Sequence, residues 1–327
     1  MNPYLKSCVF LFILLLILLL SSCENKEACD INDDGTVDSV EERICEEGLF
    51  EKPAKEETTK PSFPEATSEK EEPAGEKQSG EYTIKTAFIS IHMEPGSNPS
   101  TTEYPELHWP DLVSLIALAD EYNIKLSLVF NPQWAVYILD DEEKLALLRS
   151  WEVAGHEIGL HHHGPHHGSW NGYTDQEEYK DDLKYIGSGE DMMSLLNQLP
   201  ASGQILVAGI GGEEDVDLDW PDGVIYETDG GADGAADILS NPTKNVYNGH
   251  TVISLRHAQY QVGKMSLSLG EIASYLEESQ SEKYMGIVFH EKNYAKDPAK
   301  IEQLFQLFQD HDVEVKTVQS IMKEEGY

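Results

Sequence analysis

Six of the chain's twelve histidines fall in one stretch, Gly155-His156-Glu157-Ile158-Gly159-Leu160-His161-His162-His163-Gly164-Pro165-His166-His167-Gly168. Imidazoles ligate borderline-soft divalent metals and exchange protons near neutral pH. Ile158 to Leu160 has the character of a strand end, after which Gly164, Pro165 and Gly168 impose loop geometry. Such a position, at the C-terminal edge of an α/β sheet, is where these folds place their chemistry. His161 with His166, or His162 with His166 one helical turn apart, can put two nitrogens on one ion. His163 rivals His166, because alternate residues of an extended loop point the same way. Two other apolar segments end in groups of similar kind, His92-Met93-Glu94-Pro95 and Phe289-His290-Glu291. Glu94 would add a carboxylate to the histidine pair, leaving a tetrahedral zinc one open position for water. His290 would then stand by as acid or base.

A second stretch offers oxygen instead of nitrogen. Asp30-Ile31-Asn32-Asp33-Asp34-Gly35-Thr36-Val37-Asp38-Ser39-Val40-Glu41 places donors at loop positions 1, 3, 5, 9 and 12. Gly35 sits at the sharp turn, the Thr36 carbonyl would serve at position 7, and Glu41 could close the shell with both oxygens. The expected ion is calcium, on Asp30, Asn32, Asp34, Thr36, Asp38 and Glu41. The segment resembles the short calcium repeats of extracellular proteins. Cys29 and Cys45 bracket it and could pair in an oxidising compartment.

The elements that must hold these groups divide the chain into four. Residues 1–22 contain the apolar run Val9 to Leu20 and read as an export signal. Leu20-Ser21-Ser22-Cys23 resembles the bacterial lipoprotein processing site, which implies a lipidated Cys23 and anchorage at a membrane in the cell envelope. Residues 23–48 form the calcium segment, and 49–80, rich in Glu, Lys, Pro, Ser and Thr, read as a disordered linker. Residues 81–327 are long enough for one α/β domain with a substantial core. The formal net charge of −37 comes with no basic patch, which disfavours a phosphate-backbone partner.

Within 81–327 the apolar segments alternate with helical patterns. Strands are expected over 82–92, 124–130, 158–160, 205–208, 224–226, 252–255, 285–290 and 313–318. Helices are expected from Pro110 through Leu118, from Asp141 to about Val153 with Asp140 as cap, after Thr174 with its partner Glu177, and over 192–199. Later ones are expected over 269–279, where Ser268 and Glu271 form a capping pair, and over 298–309. This alternation predicts a mostly parallel sheet with outer helices, either open and doubly wound or closed into a distorted barrel. No glycine-rich dinucleotide fingerprint follows the first strand.

Gly155 to Gly159 followed by His161 resembles the second motif of the polysaccharide deacetylases. The resemblance implies the distorted (β/α) barrel of that family, a divalent metal such as zinc, and a glycan substrate that loses acetyl groups. Ile91-His92-Met93-Glu94 falls where that family has two aspartates, with Glu94 resembling the metal ligand and Met93 standing where the base would be. Ile287-Val288-Phe289-His290 is similar to its late motif, whose histidine is the acid. The family's second histidine lies four residues after the first, and Pro165 occupies that position here. Asp215 to Trp220 has the flavour of its fourth motif, so that His92, Glu94 or Asp217 is expected to replace the missing base. Two functions follow. One is a metal-dependent carbohydrate deacetylase; the other is a surface lipoprotein of the same fold that binds glycan without turning it over. Trp109, Trp134, Trp170 and Trp220 near the rim of a groove would suit sugar rings in either case, and are equally explained as core.

Overall fold

The computed structural model describes residues 82–210, 217–230, 238–247, 249–262 and 266–327. The expected leader, lipidated cysteine, calcium loop and linker lie outside them, as does Asp215. Among the described residues, no helix is long and apolar enough to cross a membrane.

Among the described residues, eleven strands form one sheet: β1 (Thr86–Met93), β2 (Ser127–Phe130), β3 (Glu157–His161), β4 (Val207–Gly209), β5 (Tyr226–Asp229), β6 (Leu239–Ser240), β7 (Thr243–Tyr247), β8 (His250–Arg256), β9 (Ala258–Gln259), β10 (Tyr284–His290) and β11 (Glu314–Val315). The parallel path runs β10-β1-β2-β3-β4-β5-β8. β9 follows β8 after His257 and pairs in parallel with β10, so the strip meets its own beginning near the C-terminal ends of its strands. Of the two arrangements the alternation allows, the chain adopts the curled, barrel-like one.

Strand parity divides the core. Phe88, Val129, Val207, Tyr226 and Leu255 face the interior, together with Val318, Ile321 and Met322. Ile89, Ile91, Met93, Leu128, Phe130, Ile158 and Leu160 face outward under the helices. Burial on both faces is why these strands carry almost no polar alternation. The interior is narrow: a Cβ on Gly159 would lie 2.8 Å from both Val207 O and Val129 Cγ1. Glycine is the one residue that lets β3 approach its neighbours this closely.

The helices are α1 (Glu103–Glu121), α2 (Pro132–Leu139), α3 (Glu142–Val153), α4 (Gly189–Leu196), α5 (Leu269–Glu277), α6 (Glu291–Lys296), α7 (Pro298–Asp310) and α8 (Val318–Glu324). α1 begins seven residues before Pro110, which lies inside it; Leu112, Leu115, Ile116 and Ala119 are buried as the period predicts. Asp141, not Asp140, caps α3 by accepting from the backbone of Glu143 and Lys144. The capping box of Ser268 and Glu271 forms as expected. The helix expected after Thr174 does not: only a 3₁₀ turn, Glu177–Tyr179, is present, and Leu183 is fully exposed. Thr174 spends its hydroxyl on Asp217 O, and Leu183 and Ile186, which the expected helix would carry with Tyr179 on one face, are left exposed. α2 and α6 have no counterpart among the expected elements. α2 is decisive for the site, because its first turn holds the loop after β1.

Candidate metal centre

That loop is held by backbone capture. Asn131, the cap of α2, donates from Nδ2 to Met93 O, and Trp134 Nε1 donates to Glu94 O at 3.0 Å. Gln133 accepts from Gly96 N–H at 2.7 Å and donates to Asn98 O at 2.8 Å. On the opposite side Glu291, at the start of α6, accepts from Glu94 N–H at 3.3 Å and from the Tyr104 hydroxyl at 2.8 Å. Burial raises the Glu291 carboxyl to about 8, and the nearby Glu94 charge adds to the effect. Position 94 is thus fixed from both sides before any ligand is considered.

β3 delivers His161 into the interior, and His163 returns to it two residues later. Glu94 Oε1 lies 3.6 Å from His161 Nε2 and 3.5 Å from His163 Nε2. The two Nε2 atoms are 2.8 Å apart. All three residues are buried, and they form the one group among the described residues able to hold a metal. Ligands about 2.0–2.1 Å from a tetrahedral ion stand roughly 3.3 Å from one another, so these separations bracket such a shell.

The tautomers make the stronger test. A carbonyl can only accept, so His161 Nδ1–H donates to Gly209 O at 2.7 Å. Ser169 N–H donates to His167 Nδ1, which makes that nitrogen an acceptor. His163 Nδ1, 2.6 Å from it, must therefore be the donor. In their neutral forms both imidazoles then carry the proton on Nδ1, which leaves two Nε2 lone pairs facing each other at hydrogen-bond distance. Burial drives the His163 pKa down to about 3, which opposes an imidazolium there. Burial raises the Glu94 carboxyl, but His290, His163 and His161 outweigh it and hold the net value well below the ordinary range. One ionised carboxylate and two lone pairs converging in a buried space fit a divalent cation.

His290 faces this group from β10, with Nε2 at 3.2 Å from Glu94 Oε1 and a side chain 16% exposed. Burial lowers its pKa to about 4, against the opposing pull of Glu94. His92 pairs in register with His290, and its ring lies 4.2 Å from that of His161. Its Nε2 is buried without a partner and points to Gly209, where a Cβ would come within 2.9 Å of it. His92 therefore backs His161, and the glycine of β4 is the space that admits it. His257, which the spacing argument did not single out, lies 5.5 Å from His92 by ring centroid and is driven to about 3 by burial. It occupies the one-residue step between β8 and β9, a position only the closure of the barrel brings inward.

The remaining expected residues lie elsewhere. His166 is exposed and touches only the Tyr179 hydroxyl, at 3.3 Å, among the contacts resolved. The expected pairing of His161 with His166 is replaced by His161 with His163, since residues two apart in extended chain share a face. His162 faces away: its Nε2 meets Asp217 Oδ1 at 3.0 Å, and Asn171 Nδ2 donates to its Nδ1. Asp217 is thus engaged with His162 rather than with Glu94. The Met93 side chain is packed in the outer core, so position 93 presents nothing to the mouth. Of the two accounts of the tryptophans, the core one holds among the described residues. Trp134, Trp170 and Trp220 are buried, and Trp109 packs on Trp151.

No protein-family profile and no curated protein matches the chain significantly. Solved structures do. A family 4 acetyl xylan esterase from Clostridium thermocellum, in complex with a cobalt ion, matches with TM-score 0.38 and 13% identity, covering 74% of this chain and 92% of that one. A peptidoglycan deacetylase from Bacillus subtilis matches with TM-score 0.39 and 12% identity, over 74% and 92%. A CE4 family pseudoenzyme from Bacillus anthracis matches with TM-score 0.38 and 9% identity, over 73% and 66%.

Proposed function

We propose that the chain is a metal-dependent hydrolase that removes acetyl groups from a carbohydrate. The observation that carries this reading is the convergence of Glu94, His161 and His163, with Nε2 lone pairs facing each other at 2.8 Å, beside His290 at the mouth of the sheet. The motif resemblance of Gly155 to His161 supports it.

Glu94, His161 and His163 would hold zinc or a similar divalent ion. Bound there, the ion would supply a Lewis acid for the acetyl carbonyl and lower the pKa of water. The chain's own residues supply the rest. His290 Nε2, 3.2 Å from Glu94 Oε1, is the candidate to give a proton to the departing amine or hydroxyl. His92, held unprotonated by burial, keeps its ring against His161 and prevents that ligand from turning away. Glu291, Trp134 and Asn131 fix the backbone on either side of Glu94.

A second reading, glycan binding without turnover, is favoured by one observation. Met93 faces the outer core and Asp217 is occupied by His162, so neither supplies a carboxylate base at the mouth. Acetate release from acetylated glycans, measured on zinc-loaded and zinc-free protein, separates the two. Release that depends on zinc supports the hydrolase; stoichiometric zinc with no release from any acetylated sugar moves the binding reading ahead.

The upstream segments complete the proposal. Cys23 would be the lipidated first residue of a protein held at a bacterial membrane face, and the loop from Asp30 to Glu41 would bind calcium. The mass of the mature N-terminal peptide tests the first: an unmodified peptide starting elsewhere sinks it.

A further inference from the structure

The ordinary partner for the outer nitrogen of a metal-binding histidine is a carboxylate, a carbonyl or water. His161 conforms, through Gly209 O. His163 does not. Its Nδ1 lies 2.6 Å from Nδ1 of His167, with ring centroids 3.9 Å apart and planes tilted by 59°. His167 is not free to choose another role, because the loop fixes it. Its N–H bonds Gly164 O at 3.0 Å, its carbonyl accepts from Trp170 N–H at 3.1 Å, and Asn171 N–H closes the loop onto His163 O at 3.2 Å. Ser169 N–H shares the single lone pair of the same Nδ1 at 3.1 Å in a three-centre bond, which keeps that nitrogen an acceptor.

We propose that His167 is the positioning residue of the metal centre: by accepting the Nδ1 proton of His163, it holds His163 Nε2 bare and aimed at the ion. The proposal rests on the metal-dependent reading above. The loop histidines thereby divide their work. His161 and His163 bind, His167 orients, His162 ties the loop to Asp217, and His166 is left at the surface.

The test uses the full chain and zinc alone. His167→Ala removes the acceptor. In His167→Asn, Oδ1 stands where Nδ1 stood and can accept from both His163 and Ser169. Competition with a chromogenic chelator gives the zinc dissociation constant of each. His167→Ala should weaken binding roughly 10- to 100-fold, while His167→Asn should remain within about threefold of the parent. The thermal midpoint of the metal-free chain should be the same for all three. In long-range proton–nitrogen spectra His163 should be the Nδ1–H tautomer in the parent and a mixture in His167→Ala. Parent-like zinc affinity in His167→Ala, or equal losses in both variants with lowered metal-free midpoints, overturns the positioning role while leaving the metal centre standing. A parent chain that holds no zinc overturns the metal reading and this inference together.

Discussion

Glu157, at the start of β3, sits at the end of the barrel opposite the metal centre. Its Oε2 accepts from the Ser127 hydroxyl at 2.7 Å and its Oε1 from Gln319 N–H at 3.1 Å, while Ser127 Oγ accepts from Val318 N–H. The carboxyl thus docks the first turn of α8 into the interior. Burial raises its pKa from 4.5 to about 7, with the Ser127 and backbone bonds opposing the rise. A carboxyl raised in the folded state binds more protons folded than unfolded, so stability is greatest below its unfolded value and falls as pH rises through the folded one. At about 1.36 kcal/mol per unit, a shift of this size caps the loss at ~3 kcal/mol between pH 4.5 and pH 8. The residue keeps some solvent contact, so about 2 kcal/mol is the expected effect. Glu157→Gln keeps an acceptor for Gln319 and a donor for Ser127 but cannot ionise. Denaturant midpoints of the two proteins at pH 5, 6.5 and 8 read out the difference, which cancels the general repulsion of so acidic a chain. The parent should lose ground to Glu157→Gln from about pH 4.5 upward and level off above pH 7, by ~2 kcal/mol in all at pH 8. Parallel curves across that range would refute the reasoning.

Four further outcomes are expected. His163→Ala should abolish stoichiometric zinc binding by the full chain, while His166→Ala, at an exposed ring, should leave it intact; metal analysis after dialysis distinguishes them. His290→Ala should keep zinc but lower acetate release by roughly 10²- to 10⁴-fold, the usual weight of a general acid; unchanged release would refute its assignment. Asp217→Ala strips a buried His162 of its acceptor and should cost about 1–3 kcal/mol in denaturant unfolding without changing zinc stoichiometry. Calorimetry on a fragment spanning 24–50, with its cysteines oxidised, should show calcium binding that Glu41→Gln weakens strongly; no heat at millimolar calcium defeats the loop.

The α/β class, most strand positions and the residue types of the centre were legible in the order of residues. Apolar periodicity places Leu112, Leu115, Ile116 and Ala119 on one helix face, and local chemistry starts helices at Ser268 and Asp297, because these are interactions between near neighbours. Glu94, His161 and His290 were legible for the same reason, each ending an apolar segment. The choice of His163 over His166 was not. It depends on whether the loop stays extended for two more residues, and that is set by distant partners: Asp217, which takes His162, and the turn that returns His167 to His163. The outward face of Met93, the burial of the tryptophans and the failure of the helix after Thr174 were decided in the same way, by strand parity and by contacts with Asp217. The inward placement of His257 and the docking of α8 by Glu157 required closure of the sheet. Spacing reports which side chains can share a face; only packing decides which face is turned toward the ion.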